Sequence, residues 1–410
     1  MSARDSSIGQ KQGGGGTCLL TINAGSSSLK FAVFRCDAAL TCILKGSVER
    51  IGLSDSVFLV TDVTTGKEER RSIHAPNHGS CVEALVDLLK RKNVLEHVNA
   101  IGHRVVHGGM RYRAPEAVTA EMIEELRRIS LLAIEHLPAE IEWMEAFAQG
   151  GPERLQVACF DTAFHSDLPR VALMLPLPRR LEALGVRRYG FHGLSYEFLM
   201  EELSRVDALA ARGRVILAHL GNGASMSAVL NGKCVDTSMG FTPAAGLMMG
   251  RRTGDLDPGV FAHLARTEGM MAEQFHLLVN QQSGLLGVSE TTSDMQELLV
   301  KEKEDVRAAE AIALFCQQAK KWIGSFAAVL GGLDTLVFAG GIGENCPSIR
   351  ARMCDGLGFL GVGLDDTRNQ ANAAMVSCEG SKASVRVMHT DEERMIARSV
   401  SKVLEERSVM

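Results

Sequence analysis

The sequence predicts an α/β protein with a duplicated core. Apolar runs of strand length alternate with segments of helical periodicity along the chain. A strand, a small-residue turn over 24–28 and a return strand cover residues 18–34. The same arrangement recurs over 215–230, with its turn at 221–225. One such hairpin is ordinary, because Asn and Gly favour tight turns. Two of them half a chain apart indicate a duplicated domain, each half offering a loop to a shared cleft.

A third small-residue turn follows a long helix. Apolar positions over 309–330 fit one helical face, and Gly331 and Gly332 are predicted to end the helix. A strand over 335–339 then leads into the glycine-rich turn 340–345. A strand, a glycine turn and a helix start bring backbone N–H groups close to a phosphate or nucleotide. Residues 240–259 show no helix or strand period, and long loops in compact domains are usually functional.

Composition restricts the class of protein. The chain has 410 residues, 46% of them hydrophobic, which is enough for two compact domains. Its formal net charge is −5 and it has no Lys/Arg run, so no nucleic-acid partner is expected. The apolar runs are short and interrupted, so no membrane span is expected.

Residues 1–16 are predicted to be a flexible tail without a signal-peptide core. The ten cysteines form no Cys-x-x-Cys pair, which favours reduced thiols in a cytoplasmic protein.

Phosphoryl transfer would account for a set of otherwise scattered polar residues. The reaction needs donors along the phosphate chain, oxygen ligands for a divalent metal and fixed positive charge at the transferring group. Taken singly, each residue has a plainer interpretation as a turn residue, a surface ion pair or a packed imidazole. Only their joint occurrence favours catalysis. The phosphate donors are Ser26, Ser28, Gly221, Gly223, Gly341 and Gly343, the metal ligands are Asn23, Asp161 and Glu392, and the charges are Arg104 and Arg252.

The sequence does not support dinucleotide binding, zinc binding or a Walker-type nucleotide site. The glycines at 356, 358 and 361 match a dinucleotide fingerprint, but no clear strand precedes them. His103 and His107 are four residues apart without a third zinc ligand nearby. No Gly-x-x-x-x-Gly-Lys-Ser/Thr run exists, so the chain is not a Walker-type NTPase.

Several long motifs occur in order from about residue 17 to the C-terminus, at residues 22–30, 102–109, 160–165, 189–193, 219–225, 236–243 and 340–345. Together they resemble the acetate kinase family. The resemblance implies an actin/Hsp70/sugar-kinase-like (ribonuclease H-like) fold with two duplicated α/β domains closing on a central cleft, usually as a homodimer. It implies an N-terminal acyl-substrate lobe (17–165 with 393–410) and a C-terminal nucleotide-binding lobe (166–392).

The implied reaction is ATP + acetate ⇌ ADP + acetyl phosphate, by direct in-line transfer with Mg²⁺ or Mn²⁺. Arg104, His192 and Arg252 would stabilise the transition state, with Asp161 near the acyl phosphate. Asn23, Asp161 and Glu392 would organise the metal, directly or through water. Val106, His136 and Pro243, with Arg104, would contact the acid. The nucleotide contacts would be Lys30, His219, Gly221, Asn222, Gly223, Asp294, Met295, Gln296, Gly340, Gly341, Ile342, Gly343, Glu344 and Asn345.

The physical chemistry agrees with this assignment. A carboxylate is already a nucleophile at pH 7, so the protein has to neutralise charge and align the reactants. The planar forks of two arginines suit phosphate and carboxylate. Thr390 and Glu393 fit a capping box, which would commit Glu393 to the helix end and favour Glu392 as the metal ligand.

The chain departs from the family pattern at three positions. Glu135 replaces an apolar residue of the acyl pocket, so it either turns outward or changes the substrate preference. Gln296 replaces an Arg of the adenosine segment, and Tyr196 replaces a His after 193–195. These departures motivate a first alternative, a propionate or butyrate kinase or one with a different phosphoryl donor. A second alternative is a non-catalytic, nucleotide-gated binding protein of the actin/Hsp70 kind, since fold alone does not assign function.

Overall fold

The computed structural model describes residues 17–25, 28–53, 55–151 and 153–409, so the predicted tail at 1–16 lies outside the described residues. The strands are β1 Cys18–Ala24, β2 Ser28–Arg35, β3 Cys42–Glu49, β4 Val57–Asp62, β5 Lys67–Ser72, β6 Val98–Val105, β7 Glu116–Ala117, β8 Leu155–Phe160, β9 Arg214–Leu220, β10 Ala224–Leu230, β11 Lys233–Thr237, β12 Thr335–Ala339 and β13 Ser384–Val387. The helices are α1 His78–Arg91, α2 Ala120–Arg128, α3 Leu137–Gly150, α4 Arg170–Leu173, α5 Arg179–Glu182, α6 Gly193–Val206, α7 Ala208–Ala211, α8 Gly259–Thr267, α9 Ala272–Gln281, α10 Gly284–Ser289, α11 Met295–Lys301, α12 Val306–Leu330, α13 Gly340–Asn345, α14 Pro347–Cys354, α15 Asp366–Gln370 and α16 Glu392–Val409.

Two sheets repeat one arrangement of strands. The eight-stranded sheet has the order β5-β4-β3-β2-β1-β6-β8-β7, and the five-stranded sheet has the order β11-β10-β9-β12-β13. In the first, β1 is antiparallel to β2 and parallel to β6. In the second, β9 is antiparallel to β10 and parallel to β12. Each predicted hairpin therefore lies beside a parallel strand in its own sheet, as a duplicated core requires.

The chain divides into two compact units. One holds the described residues up to His103, residues 139–157 and those from Ala397 onward; the other holds 104–138 and 158–396. In the first unit, Leu20, Ile22, Phe31 and other apolar side chains of the hairpin pack with those of α1, such as Leu85. In the second unit, β9 and β12 pack with α6. The lobe boundaries predicted from the sequence stay a prediction.

Local signals set the ends of the longest helix. The carboxylate of Asp305 accepts a hydrogen bond from the backbone N–H of Arg307 and caps the start of α12. Gly331 ends it with a φ of 70°, the left-handed conformation in which glycine is favoured. β12 begins and ends at the predicted residues. Among the described residues, no helix combines the length and the apolarity needed to cross a bilayer.

The buried His103 of β6 predicts a pH dependence of stability. Its Nε2 lies 2.7 Å from Oε1 of Gln156, whose amide nitrogen donates to the carbonyl of Met144. Burial lowers the pKa of His103 to about 4, below the value of about 6.5 expected for the unfolded chain. The unfolded state thus binds more protons between these values, and stability is lost as the pH falls from about 6.5 to 4.

We expect His103→Gln to weaken this acid sensitivity. One titrating group contributes a slope of about 1.4 kcal/mol per pH unit to the free energy of unfolding, and glutamine removes that group. Urea unfolding between pH 4.5 and 7 measures the slope for both proteins. His263→Gln, at an exposed position, is the matched control. Equal slopes for the wild type and His103→Gln would contradict the assignment.

Candidate active site

Backbone hydrogen bonds join three segments that carry predicted catalytic residues. Arg104 is near the end of β6, and Asp161 follows β8 directly. The N–H of Asp161 donates to the carbonyl of Val105 at 2.9 Å, and the N–H of Gly193 donates to the carbonyl of Asp161 at 2.9 Å. A Cβ on Gly193 would lie 2.2 Å from that carbonyl oxygen. The first residue of α6 therefore has to be glycine for the helix to approach the end of β8.

Arg104 and Asp161 form a buried ion pair. The Nη2 and Nε atoms of Arg104 donate to Oδ2 of Asp161 at 2.6 and 3.0 Å, and the carboxylate is 1% exposed. Burial raises the pKa of Asp161 to about 6; the charge of Arg104 opposes this change and the charge of Glu392 reinforces it. Glu392 is thus close enough to act on Asp161, as the predicted metal site requires.

The two carboxylates fit a magnesium ion that also binds nucleotide phosphates. Oδ1 of Asp161 is buried and has no hydrogen-bond partner among the described residues, so one oxygen is available to a cation. No group of three His, Cys, Asp or Glu side chains within the described residues could hold a metal by itself. Mg²⁺ is commonly held by one or two carboxylates together with substrate phosphates, which matches this donor set.

The predicted capping box at Thr390 is wrong. Asp391 caps α16, because its Oδ1 accepts from the backbone N–H of Arg394 at 2.9 Å. The hydroxyl of Thr390 instead lies 2.8 Å from Oγ of Ser195. A threonine one residue too early in the chain cannot reach the third helical N–H, whereas the aspartate at the N-cap can. Support for Glu392 as a metal ligand comes from its electrostatic effect on Asp161 instead.

Arg104 and Arg252 act on the same two histidines. Burial, together with the smaller effect of the charges of Arg104 and Arg252, lowers the pKa of His136 to about 3. Burial also holds the pKa of His192 well below its usual range, and His219 and the same two arginines add to the effect. The guanidinium of Arg252 is fixed by donation from Nη1 to the carbonyl of Pro243 at 3.3 Å. Both imidazoles are therefore neutral hydrogen-bonding groups beside two cations.

His192 lies against the turn at Gly223. It has a φ of 59°, which is uncommon for a residue with a side chain and marks a constrained position. A Cβ on Gly223 would lie 3.1 Å from Nε2 of His192 and 3.7 Å from Nη1 of Arg252. The ring centroids of His192 and His219 are 4.4 Å apart. The glycine leaves room for a small group between the turn, an imidazole and a guanidinium.

The two predicted phosphate turns of this unit are neighbours. Gly340 has a φ of 76°, and a Cβ there would lie 2.7 Å from the carbonyl oxygen of Leu220. A Cβ on Gly221 would lie 3.9 Å from the N–H nitrogen of Gly341. The carboxylate of Glu344 accepts from the N–H of Gly340 at 2.9 Å and so stabilises the turn. The other residues predicted from this turn, Ile342, Gly343 and Asn345, complete α13, where the amide of Asn345 donates to the carbonyl of Gly341.

The predicted adenosine segment begins α11. The carboxylate of Asp294 accepts from the N–H groups of Gln296 and Glu297, so it caps the helix. The side chain of Met295 is buried, and that of Gln296 is exposed. A Cβ on Gly250 would lie 3.5 Å from Cβ of Ser293, and the N–H of Gly250 donates to the carbonyl of Asn222. This segment therefore lies near the turn that carries Asn222 and Gly223.

The remaining predicted residues belong to the other compact unit. Asn23 and Lys30 are directly opposite each other in the antiparallel pair of β1 and β2. Ser28 begins β2, and its carbonyl accepts from the N–H of Gly25 at 2.7 Å. Ser26 lies outside the described residues. The structure thus gathers Arg104, Val106, His136, Asp161, His192, His219, Pro243, Arg252 and Glu392 within one unit, and Asn23, Ser28 and Lys30 within the other.

Glu135 is held by residues of α9. Its Oε1 accepts from the amide of Gln281 at 2.9 Å and lies 3.6 Å from Nε2 of His276. The side chain is 26% exposed, and its negative charge raises the pKa of Arg252, against the effect of burial. Whether Glu135 turns outward or changes the substrate preference stays a prediction. Glu135 acts electrostatically on a predicted catalytic cation.

Sequence reasoning missed the residues that support the histidines. Nδ1 of His192 lies 2.8 Å from Oγ of Ser225, and Nδ1 of His219 lies 2.8 Å from Oγ of Ser195. Tyr196, which had no role in the sequence analysis, is hydrogen-bonded to Ser225. Ser225 could have been found from its pairing with His219 across a predicted hairpin. No sequence signal links Tyr196 or Ser195 to their partners.

Comparison with known proteins identifies the family. The sequence profile of the Acetokinase family matches residues 18–398. The chain belongs to this family. An acetate kinase from Rhodopseudomonas palustris (strain TIE-1) is 43% identical over 388 residues, which cover 93% of this chain and 97% of that protein. The family assignment made from the motifs is confirmed, and with it a phosphotransferase with a carboxyl group as acceptor.

Solved structures of the family share the fold. The crystal structure of acetate kinase from Porphyromonas gingivalis has a TM-score of 0.86 and 36% identity, covering 95% of this chain and 100% of that one. A propionate kinase from Francisella tularensis subsp. tularensis SCHU S4 has a TM-score of 0.88 and 35% identity, covering 93% and 98%. The predicted fold class is confirmed. ATP and ADP are the nucleotides of the acetokinase family, and the site residues stay predictions.

Proposed function

We propose that this member of the acetokinase family transfers a phosphoryl group reversibly between ATP and acetate, giving ADP and acetyl phosphate. The observation that supports it is that Nε2 of His192 and Nη1 of Arg252 lie against the Gly223 turn, 3.1 and 3.7 Å from a Cβ placed there. The charge of Arg104 also acts on His192. Two fixed cations beside neutral donors suit the charge that develops on the equatorial oxygens during in-line transfer. The acetate carboxylate attacks the γ-phosphorus directly, and no general base is required.

Each residue has one task in this scheme. Arg104, fixed by Asp161, and Arg252, fixed by the carbonyl of Pro243, would orient the acid and neutralise the transferring group with their planar forks. His192 would donate to a phosphoryl oxygen, since its ring is neutral. Val106, buried beside the end of β6, would contact the methyl group together with Pro243 and His136. The turns Gly221–Gly223 and 340–345 would hold the phosphates, and the segment 294–296 the adenosine.

A bound Mg²⁺ would neutralise phosphate charge and align the nucleotide. Asp161 and Glu392 would hold it, and the role of Asn23 as a ligand stays a prediction from the sequence motif. The buried, unpartnered Oδ1 of Asp161 supports this assignment.

Trapping the product with hydroxylamine tests the reaction. Acetyl phosphate forms acetyl hydroxamate, so the protein with ATP, Mg²⁺ and acetate should give hydroxamate in proportion to ADP. ATP hydrolysis that is indifferent to acetate would contradict the proposal and favour a nucleotide-gated binding protein. Transfer from pyrophosphate but not from ATP would favour a different phosphoryl donor.

The position of Glu135 raises a separate question about the acid preference of the site. We expect Glu135→Leu to lower the KM for acetate by about 5- to 10-fold, because Glu135 competes with the incoming carboxylate for the charge of Arg252. Steady-state kinetics with acetate, propionate and butyrate measure the effect. Glu135→Gln keeps the size of the side chain and removes the charge, so it should reproduce most of the gain. An unchanged KM for acetate in both variants would rule out this competition, and a preference of the wild type for propionate would change the assigned substrate.

We also propose the assembly and the cellular location that are expected of the family. The chain would act as a homodimer in the cytoplasm, with small molecules as its substrates. Sedimentation of the purified protein at micromolar concentration tests the dimer, and a monomer with full turnover would contradict it.

A further inference from the structure

A buried chain of hydrogen bonds leads from Tyr196 to His192. Tyr196 is 0% exposed on α6, and its hydroxyl is hydrogen-bonded to Oγ of Ser225 on β10. Oγ of Ser225, which is also 0% exposed, lies 2.8 Å from Nδ1 of His192. The rings of Phe164 and His165 pack against Tyr196 with centroids 5.7 Å away. The chain of bonds therefore runs through the interior, without access to bulk water for its inner members.

The number of hydroxyl protons and of available acceptors determines which atom donates in each of these hydrogen bonds. A serine hydroxyl has one proton, which Ser225 can give either to Tyr196 or to His192. If Ser225 gave it to Tyr196, the phenol proton would need another acceptor, and the hydroxyl has none among the described residues. A buried donor without an acceptor destabilises the folded protein. Both hydroxyl protons have an acceptor when Tyr196 donates to Ser225 and Ser225 donates to Nδ1 of His192.

This direction determines the tautomer of the imidazole. With Nδ1 accepting, the proton of a neutral ring is on Nε2. Burial and the nearby His219, Arg104, Arg252 and His165 all favour the neutral ring. Nε2 is the ring atom that faces the Gly223 turn, 3.1 Å from a Cβ placed there, beside Nη1 of Arg252. The N–H donor is thus directed to the place where the proposed function puts a phosphoryl group.

Tyrosine suits this task better than a histidine would. A histidine at position 196 could either donate to Ser225 or accept from it, so it would leave both tautomers of His192 open. Burial raises the pKa of the Tyr196 phenol, so its hydroxyl keeps its proton at neutral pH and remains a donor.

We propose that Tyr196 and Ser225 are positioning residues that hold His192 as the Nε2–H tautomer, which donates a hydrogen bond to the transferring phosphoryl group. The second part of this inference rests on the proposed function, whereas the tautomer itself does not. Neither residue touches the reactants, so both act through His192.

The test combines NMR with kinetics. In protein labelled with ¹⁵N-histidine, and with His192 assigned by comparison with His192→Gln, we expect an unprotonated Nδ1 and a protonated Nε2. Tyr196→Phe should shift Nδ1 of His192 toward the protonated position and lower kcat about 5- to 10-fold, the equivalent of one hydrogen bond. The KM for acetate should change by less than about twofold, because the weakened hydrogen bond from His192 is made in the transition state and not in the bound ground state. Tyr189→Phe is the matched control, since it removes another buried hydroxyl, bonded to the carbonyl of Gly185, and should leave the His192 signals unchanged.

Ser225→Ala provides a second variant if Tyr196→Phe does not fold. It removes the donor to Nδ1 while keeping Tyr196, and it should give the same shift and the same loss of kcat. A protonated Nδ1 in the wild type, or unchanged His192 signals and kcat in the variants, would overturn the inference. If the wild type formed no acyl phosphate from any acid, the proposed function would fail; the NMR spectra would still decide the tautomer.

Discussion

Replacing Arg252 or Arg104 with Ala should lower kcat by about 10²-fold or more. Each substitution removes a fixed cation from a site where charge develops on the phosphoryl oxygens, and lost donors of this kind cost 10²–10³ in rate. Arg104→Ala should have an additional effect, because it leaves the carboxylate of Asp161 buried without its ion-pair partner. Steady-state rates of ADP and hydroxamate formation at saturating ATP and acetate measure both losses.

The neighbouring residue supplies the control. Arg251 is exposed and precedes Arg252 in the same loop, so Arg251→Ala removes the same kind of side chain without changing the site. It should keep wild-type kcat within about twofold, as expected for an exposed surface substitution. Arg252→Lys separates charge from geometry: it should recover part of the rate, since lysine keeps the charge and lacks the fork. Near-normal turnover in both alanine variants would show that the assigned roles are wrong.

Gly193→Ala should damage both stability and turnover. The new Cβ would lie 2.2 Å from the carbonyl oxygen of Asp161 and 3.1 Å from Cβ of Phe164, and neither neighbour is a flexible side-chain end. Moving α6 away from the end of β8 breaks the hydrogen bond from Gly193 to Asp161 and displaces His192. We expect the free energy of unfolding to fall by about 3 kcal/mol, the upper range for overpacking, and kcat to fall by more than 10-fold.

Gly324 of α12 provides the comparison. A Cβ there would meet nothing within 4 Å, so Gly324→Ala should stabilise the helix by about 0.5–1 kcal/mol and leave kcat unchanged. Urea unfolding and steady-state kinetics on both variants give the two quantities. If Gly193→Ala unfolded at the same urea concentration as the wild type, the close contact with Asp161 would not exist in solution.

The sequence predicted the parts of the molecule that depend on neighbours along the chain. β12 begins and ends at the predicted residues, and α12 ends at Gly331 because the left-handed cap is a local property of glycine. β10 starts two residues earlier than predicted, since Ala224 and Ser225 still pair with Leu220 and His219. Long, ordered motifs also gave the family and the reaction class.

The tertiary structure alone decided which side chains support the site. Glu135 meets Gln281 across 146 residues, Thr390 meets Ser195 across 195, and Tyr196 meets Ser225 across 29. Such contacts depend on how the segments pack against one another, and neither propensity nor periodicity along the chain encodes them. The chemical types of the catalytic groups could therefore be predicted from the amino acids, whereas the charge state and direction of each group followed from burial and from partners that are distant in sequence.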